Sequence, residues 1–328
     1  MSHGVEVLTA GAERAGRWTA VALGASIPVS VALDNVLLLA ALVCYALGGS
    51  YREKLAAIKS NPVVIAALAL FAMLAAGTLY GPATSGEALH YLGKYLDLLF
   101  VPVFAWSLRG AGDRRNAVIT FTAVLLVVLF FSFAIALGAL PPNRLMLGSA
   151  GNPVVFKEYL THNVLVALGA FLFCELALAS TSRQARLLWG GCAALAAVNI
   201  LFLIPGRTGY LVLAALALYL GFQLARWRGF AAAGALLIAL LAALYAVSGP
   251  FQQRVDRALD EYSSWRPGEA AAVNNSVGLR LEFHANSLAL FGDRSLAGVG
   301  TGGFPRAYAE KVRGTAMVAT SNPHNEYL

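Results

Sequence analysis

From residue 18 to residue 248 the chain is a succession of apolar runs, each about as long as a bilayer is thick. About 20 apolar residues in a helix span the hydrocarbon, where only helices and closed barrels satisfy every backbone N–H and C=O. Residues 117–137 are the extreme case, with Thr120, Thr122 and Ser132 as the polar side chains in 21 positions. A helix of a soluble bundle would show a polar face, and this one has none. Only 12% of residues are charged and the mean hydropathy is +0.68, against about 25% charged in a soluble domain. The fold class is therefore an all-α polytopic membrane protein.

A 20-residue window divides the chain into spans. Residues 18–47 are too long for one, and Pro28, Ser30 and Asp34 split them into two short helices. Further spans are expected at 62–80, 89–108, 116–138, 160–179, 187–204, 209–225 and 230–248, which makes about nine. Residues 1–248 thus form the transmembrane bundle, and 249–328 a polar loop. The basic residues support the map. With the N-terminus in the cytoplasm, cytoplasmic connections carry Arg14, Arg17, Arg52, Lys54, Lys59, Arg109, Arg114, Arg115, Arg183, Arg186, Arg226 and Arg228. The outside connections carry Arg144, Lys157 and Arg207. This asymmetry is the positive-inside signature. It places 249–328 outside, which is the periplasmic face of the inner membrane if the cell is a Gram-negative bacterium.

The net charge of +7 is absorbed by this topology, so it does not argue for nucleic acid. Cys44, Cys174 and Cys192 all sit in apolar runs, which predicts neither a disulfide nor a thiolate metal site. No cleavable signal peptide is expected, because residues 1–17 are polar and no small-residue cleavage site follows a short apolar core. No Walker A sequence, Asp-x-Asp or tight His/Asp/Glu spacing argues for a metal or nucleotide cofactor.

The outer loop has its own pattern. Phe251, Val255, Leu259, Tyr262 and Trp265 recur at helical spacing opposite Gln252, Arg254, Asp256, Arg257 and Asp260, an amphipathic helix suited to the membrane interface. Asn274, Asn275 and Ser276 offer N-cap chemistry to a second helix over 277–291. Residues 298–303 read as a flexible glycine turn. They match G-x-G-x-x-G but lack the strand that a dinucleotide site requires. A short helix is expected at 305–312.

Three residues are the candidates to carry the chemistry. Arg207, in Ile204-Pro205-Gly206-Arg207-Thr208-Gly209-Tyr210, interrupts an otherwise apolar hairpin on the outer side. A charge at membrane depth is costly and marks function by default, the alternative being an arginine that snorkels to lipid phosphate. Arg280 opens the second loop helix, where its two-toothed, permanently charged fork suits phosphate. The competing reading is a surface ion pair with Glu282 or Asp293. His324, next to Asn325 and Glu326, has the residue type of a general base, although a loop histidine is more often simply solvated. Lys157, His162, Tyr210 and Asn325 form a second tier. Lys157 and His162 belong with Glu158 and Asn163 to a polar group at the outer end of the 160–179 span.

These segments resemble a known family. Asn275-Ser276-Val277-Gly278-Leu279-Arg280 with Phe283, the run Leu296-Ala297-Gly298-Val299-Gly300-Thr301-Gly302-Gly303-Phe304, and Pro323-His324-Asn325-Glu326-Tyr327-Leu328 resemble the O-antigen ligase superfamily. Gly206-Arg207-Thr208-Gly209 is similar to its upstream arginine motif. The superfamily also holds O-antigen polymerases and O-linked protein oligosaccharyltransferases, and these motifs do not separate the branches. The resemblance implies a glycosyltransferase of lipopolysaccharide biosynthesis, with an undecaprenyl-diphosphate-linked glycan as donor and lipid A–core as acceptor. It implies that Arg207 and Arg280 hold the diphosphate, that His324 takes the acceptor proton and that no metal cofactor is needed. Family members continue past this histidine into further membrane helices, so the resemblance also implies a natural chain longer than 328 residues. A transporter is the reading from another class. It would require ionisable residues near mid-membrane, whereas Glu175, Asp34 and Asp97 lie toward span ends.

Overall fold

The computed structural model describes residues 3–140, 146–204, 206–247, 249–266 and 276–322. Every named element in them is helical: α1 His3–Ser26, α2 Val31–Leu47, α3 Tyr51–Ser60, α4 Pro62–Gly77, α5 Ser85–Gly93, α6 Val101–Ser107, α7 Ala111–Ala136, α8 Tyr159–Ala179, α9 Arg183–Val198, α10 Arg207–Val247, α11 Gly249–Ser264, α12 Ser276–Asp293 and α13 Phe304–Lys311. The protein is an all-α polytopic membrane protein. Ala111–Ala136, Tyr159–Ala179, Arg183–Leu203 and Thr208–Val247 are long and apolar enough to cross a membrane. Val31–Leu47 with Tyr51–Ser60, bent by 115°, makes a fifth if it counts as one broken span. The sequence map of nine adds α1, α2 by itself, α4 and residues 89–108 to those four, and counts Thr208–Val247 as two.

The chain divides into two compact units: Met1–Lys54 with Val103–Leu240, and Leu55–Pro102 with Leu241–Leu328. In the first, α1 and α2 form an antiparallel hairpin. Residues 27–30 make the turn, and the Ser30 hydroxyl accepts from the Leu33 amide to cap α2. The Ser26 hydroxyl donates to Asp34 across the mouth of the hairpin at 2.5 Å. The core of this unit joins Phe121, Leu125 and Leu129 of α7, Val166, Ala170 and Phe173 of α8, and Cys192, Ala193 and Ala196 of α9. The chain within α10 reverses at Ala225 and Arg226, which leave the helical region, Arg226 with φ 52°. Gly221 and Gly229 face each other across that reversal, so closely that a Cβ on either would collide with the other's carbonyl. Glycine is required there because two helix backbones touch.

One span is not continuous. Residues 89–108 are expected as a single helix, but α5 stops at Gly93, a 3-10 segment covers Leu96–Phe100, and α6 begins at Val101. Glycine is a weak helix former, and the ring of Pro102 opposes any helix continuing into it from residue 98.

In the second unit the glycine segment is docked rather than flexible. Thr301 donates its amide to the Gly77 carbonyl at 2.9 Å and its hydroxyl to the Leu74 carbonyl at 2.6 Å. The Tyr80 hydroxyl donates to the Ala297 carbonyl at 2.6 Å. The turn thereby ties the chain ahead of α13 to the end of α4. Phe283 of α12 packs edge-on against Tyr308 of α13, which is fully buried. Burial pushes the Tyr308 phenol above its ordinary pKa, outweighing the Asn286 amide beside it.

Candidate active site

The strongest concentration of buried polar side chains lies in the first unit, where α7, α8 and the end of α9 meet. Ser132, Asn163 and Asn199 are fully buried and His162 nearly so. One end fixes the direction of each hydrogen bond. The Pro153 carbonyl can only accept, so the Ser132 hydroxyl donates to it, at 2.7 Å. The Ser132 oxygen then accepts from Asn199 Nδ2 at 2.8 Å. Asn199 Oδ1 is left as the acceptor for His162 Nε2 at 3.1 Å. The ring therefore carries its proton on Nε2. Buried polar groups in an apolar bundle need such partners, since each one left bare costs about 1–3 kcal/mol.

Asn199 also begins a turn of π-helix, Asn199–Leu203. The Ile204 amide donates to the Asn199 carbonyl at 3.0 Å, and the Ile204 carbonyl accepts from Asn163 Nδ2 at 3.1 Å. The extra residue of such a turn re-aims the chain beyond it, and such turns are frequent at functional sites. Here the re-aimed chain is Gly206 and the start of α10 at Arg207. A Cβ on Gly206 would fall 2.5 Å from Asn163 Nδ2, and one on Gly209 2.7 Å from Asn163 Cβ and 3.2 Å from Ile200 Cγ2. The glycines of Gly206-Arg207-Thr208-Gly209 thus let the backbone on both sides of Arg207 lie directly against the Asn163 side chain.

Two helix starts in this unit differ in charge. Glu158 caps α8, accepting from the amides of Leu160 and Thr161 and from the Thr161 hydroxyl. Burial raises its pKa, but the hydrogen bonds from the Thr161 hydroxyl and the two amides outweigh this and leave it lowered. The positive end of α8 is therefore already neutralised. At the start of α10, Gly206 has no side chain to cap with, and the first helical residue is an arginine. The first amides of any helix lack an intrahelical acceptor and favour an anion.

Of the residues singled out from sequence, His162 is part of the Asn163–Asn199 network, and Arg207 stands between the two glycines whose backbone lies against Asn163. Tyr210 is partly exposed, with its amide bonded to the Gly206 carbonyl at 3.2 Å. Lys157 is not free for a substrate, because it pairs with Asp34 at 3.4 Å in a half-buried position. Sequence reasoning placed Asn163 in a polar group with His162, Lys157 and Glu158. Its contacts with Gly206 and Gly209 were missed, and so was Asn199, whose signal was a lone asparagine in an apolar run.

Arg280 lies in the second unit, exposed on α12. The ion-pair alternative does not hold among the described residues. Asp293 is taken by Lys311 at 2.9 Å. Glu282 is buried and accepts from Asn286. Arg280 has no ion pair among the described residues. His324 and Asn325 lie outside the described residues.

Residues 192–328 match the family model described as O-antigen ligase. The match takes in Arg207, Tyr210, Arg280, His324 and Asn325 and leaves out Lys157, His162 and Asn163. A comparison with curated proteins finds no match.

Proposed function

We propose, from the match of residues 192–328 to the family model described as O-antigen ligase, that the chain belongs to this family of membrane glycosyl-transfer enzymes and transfers a glycan from undecaprenyl diphosphate to lipid A–core at the periplasmic face of the inner membrane. The observation that carries this reading is the start of α10: an arginine as first helical residue, a glycine at the cap and a backbone held against buried Asn163. That is the chemistry of an anion site. Arg280, without an ion pair among the described residues, supplies the second cation.

In the transfer step the acceptor hydroxyl oxygen forms a bond to the anomeric carbon while the bond from that carbon to the diphosphate oxygen breaks. The electron pair leaves with the diphosphate, whose growing charge Arg207 and Arg280 stabilise. His324 takes the proton from the hydroxyl. Attack opposite the leaving group inverts the anomeric centre, and two guanidinium groups do the work that a metal does in other transferases.

The test is transfer by the purified full-length protein from a polyprenyl-diphosphate-linked glycan, with chelator present. The acceptors offered are lipid A–core, a pilin-like protein and a second donor molecule. Product on lipid A–core is expected. Product on protein or donor would move the chain to the oligosaccharyltransferase or polymerase branch, and no product on any acceptor would overturn the reading. Arg280→Lys is expected to lose most of the activity, because an ammonium cannot reproduce the two-toothed fork.

A further inference from the structure

We propose that Asn163, on α8 and outside the family match, is the positioning residue that sets Arg207 for the diphosphate. The inference rests on the reading of Arg207 as a diphosphate ligand.

Asn163 is fully buried and in contact with the segment on both sides of Arg207. Its Nδ2 donates to the Ile204 carbonyl, three residues before the arginine. Its side chain fills the space that Gly206 and Gly209 leave open, one residue before and two after. The Ile204 carbonyl is in an apolar core, with Ile204 itself fully buried, so it needs a donor. This requirement fixes the amide orientation, because turning the group over would bring two oxygens together. Asn163 Oδ1 is consequently buried with no partner among the described residues. An unmatched buried acceptor costs stability, and a fold retains such a cost where the placement of the other end matters.

Asn163 does not act alone. The π-turn that delivers Ile204 begins at Asn199, whose side chain is held by Ser132 and His162. Both ends of the turn are therefore fixed, the Ile204 end by the Asn163 amide of α8 and the Asn199 end by the Ser132 hydroxyl of α7 and the His162 ring of α8. A shift of about 1 Å in a charged group that must meet a diphosphate is enough to lower rate or affinity about a hundredfold.

A merely structural role would lower stability and leave substrate affinity alone, or lower both regardless of Arg207. A positioning role makes the two residues non-additive. The experiment measures binding of undecaprenyl diphosphate, without glycan, to the full-length protein in detergent. It compares wild type, Asn163→Leu, Arg207→Ala and the double variant, with thermal unfolding recorded for each. Leucine keeps the branching pattern of the side chain and removes the donor to Ile204. Tenfold or greater loss of affinity is expected for Asn163→Leu, with no further loss when it is added to Arg207→Ala, while the unfolding midpoints still fall additively. If Asn163→Leu does not fold, Gly206→Ala presses on the same amide from the other side and is expected to give the same pattern. Wild-type affinity in the Asn163 or Gly206 variant, or an equal loss in the presence and absence of Arg207, overturns the inference. Failure of wild type to bind the diphosphate, or no loss in Arg207→Ala alone, overturns the proposed function instead.

Discussion

Two glycine segments, 206–209 and 298–303, use the same residue for different reasons. Gly206 and Gly209 make room for a side chain. They bring backbone against the buried amide of Asn163, and the contact is amide to carbonyl in an apolar bundle. Gly298, Gly300 and Gly302 adopt φ of 64°, 79° and 78°, the left-handed region that L side chains avoid. Their segment meets another backbone, at Gly77, Tyr80 and Ala88. The first segment holds a charged residue for use. The second fastens one part of its unit to another, and the ionic contacts around it lie in solvent. In a low-dielectric core a single lost hydrogen bond is costly, whereas an exposed ion pair contributes little.

The largest expected effect comes from breaking the second segment. Gly300→Ala combines an unfavourable φ with a Cβ driven into the Tyr80 carbonyl, a cost on the order of 3 kcal/mol or more. Limited trypsin digestion is expected to cut the 276–322 region of this variant faster than wild type. Equal digestion would mean the turn is not a fastening.

Asn199→Leu probes the network beside the first segment. It strips His162 and Ser132 of a partner each and is expected to destabilise by about 1–3 kcal/mol. A second change, Ser132→Ala, should then cost less than it does alone, because the bond to Asn199 is already gone and only the Pro153 carbonyl still loses its donor. Additive losses in thermal unfolding would show that the chain from Pro153 to His162 is not one unit.

Thr301→Val keeps the shape and removes the hydroxyl that donates to Leu74. About 0.5–1.5 kcal/mol is expected, with the amide bond to Gly77 intact. Hydrogen exchange at the Thr301 position, still slow in the variant, would confirm that the backbone contact is the main fastening, and fast exchange would assign that role to the hydroxyl.

The smallest effect belongs to the ion pair of Arg306 with Glu87, 3.0 Å apart and both about half exposed. Glu87 is held below its ordinary pKa first by the Thr84 amide, then by Arg306 and the Thr84 hydroxyl. A carboxylate with a lowered folded pKa adds stability that is present above the ordinary glutamate range and lost as the pH falls below it. Glu87→Gln should therefore differ slightly from wild type in thermal unfolding at neutral pH, and the gap should close on acidification. A gap independent of pH would point to a weakened capping box rather than to the ion pair.

The membrane class was legible in the sequence because it depends on local composition. An apolar run of bilayer length has few alternatives to a helix, and Ala111–Ala136 and Tyr159–Ala179 could be read directly. Arg207 was legible too, since a charge among apolar residues stands out, as was Arg280 at a helix start. The stretch 192–328 that matches the O-antigen ligase model was visible as a string of residue types. Tertiary structure alone decided which polar residues touch. It gave Lys157 to Asp34 and left Asn163 for the Arg207 segment. It linked His162 to Asn199, 37 positions away, and set Thr301 on Leu74 across 227. It also broke residues 89–108 where a hydropathy window sees one run. Periodicity reports which face of a helix is apolar, but the partner of a buried amide is chosen by which helices pack together, and in an all-helical bundle no local pattern encodes that choice.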